Sequence, residues 1–192
     1  MNKRVPEYPI AELILNRWSP RAMSGQSITD AALFSLFEAA RWAPSSYNNQ
    51  PWHFVYAKKD TAHWDIIFNL MVDFNKSWAK NAAVLIVVAS ANNFAYNNKP
   101  SRTHSFDTGA AWENLALQAH INGLVAHGME GFDYDKAKAV LSFPEDYTIE
   151  AMIAIGHPGE LSVLPPELQE REELSGRKKI QEFIHEGVFK KG

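Results

Sequence analysis

The segment Arg17-Trp18-Ser19-Pro20-Arg21 places two guanidiniums and a hydroxyl at i, i+2 and i+4. In extended backbone those three side chains leave the same side of the chain. Arginines so paired are suited to bidentate capture of a phosphate; they would serve equally as two solvated surface charges. A second segment, Pro44-Ser45-Ser46-Tyr47-Asn48-Asn49-Gln50-Pro51-Trp52, packs hydroxyls and amides side by side. Such groups donate and accept together, which suits the edge of a planar heterocycle. A turn held by Asx and Ser hydrogen bonds, with Trp52 in the core, is the alternative. In Gly128-Met129-Glu130-Gly131-Phe132-Asp133 the glycines let backbone approach a ligand, and a free N–H there could donate to a ring nitrogen; a plain turn between elements fits as well. Ser175-Gly176-Arg177-Lys178-Lys179 is a basic tip or a solvated tail.

Other chemistries are absent. The 192 residues include no cysteine, which excludes disulfides, iron–sulfur clusters, thiolate zinc sites and a cysteine nucleophile. No GxSxG, GxxxxGK[ST] or GxGxxG motif occurs, so the acyl-transfer elbow, the P-loop and the Rossmann fingerprint are missing. Seven histidines are scattered without an HExxH pair, and no metal site is expected. A net charge of −3 argues against a nucleic-acid footprint. Met1–Glu7 has no apolar run behind it, and no stretch of 18 apolar residues exists, so a cytoplasmic protein is expected.

Hydrophobic residues at 46% and charged residues at 21% are globular values, and the length suits one domain over 1–192. Pro158–Gly176 reads as a polar connection to a C-terminal arm, residues 175–192. Ile10, Leu13 and Ile14 suggest a first short helix. Thr29 can cap a second, with Leu33, Leu36, Phe37 and Ala40 on one face, ending before Pro44. His53–Ala57 reads as a strand. Asp60 can cap a third helix bearing Trp64, Ile67, Phe68 and Met71. Ala82–Ala89 is an apolar run expected as a strand buried on both faces. Asn92–Arg102 reads as a loop. Asp107 can cap the longest helix, which Gly123 stops. Gly128–Gly131 reads as a turn, Asp133 caps a helix ending near Leu141, and Ile149–Ile155 is a strand. Helices interleave with fewer strands, which makes the class α+β.

Together the segments resemble the nitroreductase family of FMN-dependent oxidoreductases, from about Val5 to Gly187. The most specific part is Pro44-Ser45-x-x-Asn48-x-Gln50-Pro51-Trp52. Arg17-x-Ser19-x-Arg21 precedes it at the family's distance, and Ala110-Ala111-Trp112-Glu113-Asn114-Leu115 is similar to the family's central helix. The resemblance implies an α+β fold with a central, mainly antiparallel sheet flanked by helices, and a homodimer with FMN at the subunit interface. It implies that Arg17, Ser19 and Arg21 hold the FMN phosphate and ribityl chain and reach the pyrimidine edge. Pro44, Ser45, Ser46 and Asn48 would line the ring from the other subunit. Asn75 matches a family asparagine at the pyrimidine or ribityl part, Glu130 and Gly131 the turn whose N–H faces flavin N5, and Arg177 a phosphate-binding arginine. NAD(P)H would be a transient co-substrate in ping-pong turnover, with nitroaromatic, quinone-like or related electron-poor acceptors. No side-chain acid or base is singled out.

Two departures stand out. Trp78 occupies the place, three after the asparagine, where many relatives carry a basic residue, with Lys80 nearby. The Asn92–Arg102 region is compact. If these closed the pocket, the alternative would be an FMN storage or sensor protein without turnover. Dehydrogenase or dehalogenase chemistry on the same scaffold is a further alternative.

Overall fold

The computed structural model describes residues 4–190. Four antiparallel strands, β1 (Trp52–Lys58), β2 (Val84–Ala91), β3 (Val125–Met129) and β4 (Tyr147–Gly156), form one sheet in the order β1-β2-β4-β3. The helices are α1 (Glu12–Asn16), α2 (Asp30–Arg41), α3 (Trp64–Phe68), α4 (Asp73–Ala79), α5 (His104–Ile121), α6 (Tyr134–Val140) and α7 (Pro166–Gln169).

Strand β2 is central and buried along seven of its eight residues, as its unbroken apolar run requires. Its alternating side chains feed two cores. Val84, Ile86 and Val88 meet Leu33, Leu36 and Leu115 of α2 and α5. Leu85, Val87 and Ala89 meet Ile67, Trp78 and Ala137 of α3, α4 and α6. The sheet is thus sandwiched between helical layers, in agreement with the expected α+β architecture. The Thr29 hydroxyl caps α2 by accepting the Ala32 N–H, and Asp133 caps α6 by accepting the Lys136 N–H. Gly123 ends α5 at φ +68°, a conformation natural to glycine.

Several local expectations change. Asp60 does not cap α3: it sits at φ +63° in the turn leaving β1, and the helix begins only at Trp64. Met71 lies past that helix, bridged to Phe132. Asp107 is not the cap of α5, which starts three residues earlier and leaves its carboxylate free for tertiary contacts. Gly128 and Met129 belong to β3 rather than to a turn; an added Cβ at Gly128 would lie 3.2 Å from the Trp112 ring, so glycine lets that indole pack on the strand. Helix α4 has too few inward residues to show a period, namely Asn75, Trp78 and Ala79.

Candidate functional site

Loop 17–22 leaves α1 with Arg17 in extended backbone and passes alongside β3. Three contacts pin its back. His127 of β3 donates from Nδ1 to the Pro20 carbonyl at 3.1 Å, which fixes the tautomer. The Gly159 N–H donates to the Ala22 carbonyl at 2.9 Å. Glu172, just beyond α7, accepts the N–H groups of Arg21 and Ala22. Gly159 is required there: a Cβ would lie 2.5 Å from the Met23 carbonyl carbon.

With the loop so held, its front opens on a hollow of about 280 Å³ lined by Arg4, Arg17, Ser19, Arg21, Arg171 and Arg177. Five guanidiniums therefore converge on one small space. Glu113 meets Arg17 at 3.5 Å and Glu172 meets Arg21 at 3.8 Å, which offsets part of this charge. Arg17 Nη1 donates to the Ser19 hydroxyl at 3.3 Å. Arg4 ties the walls together by donating to the carbonyls of Leu15, Arg17 and Ser175. Partial burial, and then the nearby Arg177 and Arg17 charges, lower the pKa of its guanidinium. Like charges crowded in this way favour an anion among them, and planar forked donors suit a phosphate.

His127 is partly exposed but largely enclosed, and this burial together with the Arg21 charge lowers its pKa to about 4 despite the backbone acceptors at Pro20 and Ser19. The ring is therefore neutral near neutral pH. It lies 4.6 Å from the ring of Trp78, which is fully buried. Trp78 is thus a core residue beneath the loop, and it does not close a pocket. Lys80, at the end of α4, is exposed.

Asn75 and Gly131 come together in a second group. Asn75 is buried and donates from Nδ2 to the Gly131 carbonyl at 3.0 Å. A Cβ on Gly131 would press to 2.7 Å from that amide. The Gly131 N–H has no backbone acceptor among the described residues, and Glu130 beside it is exposed. Trp78 and His127 link this group to the back of loop 17–22, since Asn75 and Trp78 share α4.

The third group stands apart. Pro44, Ser45, Ser46 and Asn48 precede β1, where Ser46 donates its N–H to Asp107 of α5 at 3.0 Å. Asp107 is buried and also accepts the Thr103 hydroxyl. Arg17 meets α5 at Glu113, six residues further on, which is about 9 Å along the axis at the α-helical rise. No hydrogen bond or ion pair joins residues 44–48 to the arginines among the described residues. Tyr47, Asn48 and Gln50 all have φ near +50°. The Ser45 hydroxyl accepts the Gln50 N–H, and Asn49 clasps residues 93 and 95 of the compact 92–102 loop. Tyr47, Phe94 and Tyr96 consequently meet ring to ring.

Arg4, Arg171, Glu172, His127 and Asp107 were not legible as site residues. Arg171 and Glu172 lie in a run of mixed charge that looks like solvated surface, and Asp107 reads as a cap.

The family model described as the Nitroreductase family matches residues 14–157. A solved structure described as an oxidoreductase containing FMN superposes with a TM-score of 0.94 at 44% identity, over 99% of this chain and 98% of that one. An NADH dehydrogenase of Thermus thermophilus is 24% identical over 83% of this chain and 92% of its own length. An uncharacterized 15.4 kDa protein of Mycolicibacterium smegmatis is 31% identical over 50% of this chain, and the match spans 63% of that protein.

Proposed function

The chain belongs to the nitroreductase family, and from that premise we propose that it is an FMN-dependent oxidoreductase taking electrons from NAD(P)H and passing them to nitroaromatic, quinone-like or related electron-poor acceptors. The observation that carries this reading is the convergence of five guanidiniums on a hollow of about 280 Å³. A phosphomonoester fits that donor set in charge and in geometry. When bound, FMN supplies the two-electron chemistry at its ring, and the protein supplies placement and electrostatics.

Arg17, Ser19, Arg21 and Arg177 grip the phosphate and the adjoining chain. Asn75, oriented by its bond to Gly131, and the Gly131 N–H, next to Glu130 and without an acceptor among the described residues, would be the groups that meet the flavin ring. Pro44, Ser45, Ser46 and Asn48 line the ring from a second subunit. The separation of that loop from the arginines within one chain supports a homodimer whose two sites are each built from both copies. With FMN held there, NAD(P)H and the acceptor would react in turn, in ping-pong order. The chain is a single domain over 1–192 with 175–192 as its arm, and it works in the cytoplasm. Among the described residues no helix is long and apolar enough to cross a membrane.

The test is an absorbance spectrum of the purified protein before and after anaerobic addition of NADPH and then NADH. A flavin spectrum that bleaches with either nucleotide is expected. A flavin that stays oxidised would favour a binding protein, and no flavin after FMN is added back would remove the site.

A further inference from the structure

Loop 17–22 has a hollow on each side. Arg17, Ser19 and Arg21 face the arginine cradle, whereas Pro20, Ala22 and Glu172 line a second hollow of about 520 Å³ behind it. Glu173 lines the cradle itself, whereas Glu172 lies on the rear hollow, where a buried carboxylate still opposes an anion held on the other side of the loop. Glu172 is not a rim residue: its side chain is 5% exposed. One oxygen, Oε1, accepts the N–H groups of both Arg21 and Ala22, the latter at 2.7 Å. The other, Oε2, faces Arg21 Nη1 at 3.8 Å and has no hydrogen-bond partner among the described residues, and Arg21 Nε also lacks one there.

Its place in the chain explains the expenditure of a buried charge. Leu168 of α7 is 1% exposed and anchors the short helix. Glu172 lies three residues past the end of that helix, flanked by Arg171 and Glu173, which both line the cradle. A single carboxylate therefore ties the segment bearing Arg21 to the segment bearing Arg171 and Arg177. The two segments are some 150 residues apart in sequence.

We propose that Glu172 is the positioning residue of the anion cradle: it clamps the Arg21–Ala22 backbone and draws the 171–177 segment across, so that the grip on a phosphomonoester depends on it. The proposal rests on the reading of the cradle as the FMN phosphate site, and its test separates the two.

Flavin-free full-length protein is titrated with FMN and with riboflavin, which differ by the phosphate alone, and quenching of flavin fluorescence is followed. Wild type is expected to prefer FMN by about a hundredfold or more. Equal affinities would remove the phosphate reading whatever Glu172 does. Given the preference, Glu172→Ala is expected to lose about tenfold or more of it. Glu172→Gln, whose amide oxygen still accepts both N–H groups, keeps it within about threefold. Were Glu172 merely a local charge, both substitutions would raise FMN affinity; were it a strut remote from the site, both flavins would weaken alike and their ratio would stand. Either result overturns the proposal. Glu172→Asp, milder for folding, retains the charge but shortens the reach, and an unchanged ratio in that variant overturns it as well.

Discussion

The arginine loop and the Pro44–Pro51 loop solve the same problem, an exposed irregular backbone held in one shape, in opposite ways. Residues 17–22 contain no positive φ, and remote groups hold them: His127, Gly159 and Glu172 behind, Arg4 at the side. Residues 47–50 instead hold three non-glycine residues at positive φ, kept there by Ser45, Asn49 and Asp107. Non-glycine residues in that region cost roughly 1–2 kcal/mol, asparagine less. The first loop is therefore stable because it is packed, with its arginine charge partly offset by Glu113 and Glu172. The second stores strain and leaves Pro44, Tyr47, Asn48 and Gln50 exposed.

The comparison breaks first at the arginines. Arg17→Ala with Arg21→Ala should weaken FMN binding by about a hundredfold or more and riboflavin, which keeps only the ribityl contacts, by much less, read by fluorescence titration. An equal loss for both flavins would show that the loop shapes the site without reading charge.

Next in size is His127. Its folded pKa of about 4 lies below that of an unfolded histidine. The unfolded chain therefore binds the extra proton between about pH 6.5 and 4, and stability falls as pH drops through that window, while above it the stabilisation is complete. The loss is on the order of 2–3 kcal/mol. Urea denaturation across pH should show this slope, and His127→Asn, whose amide still donates to Pro20, should flatten it.

Gly159→Ala tests the packing itself. The new Cβ would meet the Met23 backbone, so the Met23 and Gly159 segments must shift apart, at a cost of about 2 kcal/mol read as a lower Tm. The smallest effect belongs to the strained loop. Tyr47 is 80% exposed, and Tyr47→Gly should raise stability by about 0.5 kcal/mol, since relief of the positive φ slightly exceeds the entropy of glycine. A destabilisation instead would mean that the Tyr47, Phe94 and Tyr96 ring contacts outweigh the strain.

Much of the architecture was legible because it obeys short-range rules. The Thr29 and Asp133 caps, the Gly123 stop and the apolar run of β2 each stand where their pattern put them. Asp60 and Asp107 failed as caps for a common reason. A short polar side chain serves a turn or a tertiary contact as readily as a helix end, and the sequence does not rank these uses. Trp78 was read as a departure at the edge of the site, yet the fold buries it against His127.

By itself the sequence determined the alternation of Arg17, Ser19 and Arg21, the α+β layering and the family to which the chain belongs, since each is carried by residue type and local spacing. The tertiary structure alone decided that Arg4 and Arg171 join these arginines and that Asn75 meets Gly131. It also decided that a buried glutamate some 150 residues away fixes the backbone between them. Those partnerships depend on how extended segments pass one another at the end of a sheet. No periodicity encodes that, because the energy lies in single hydrogen bonds between distant positions rather than in a repeated pattern.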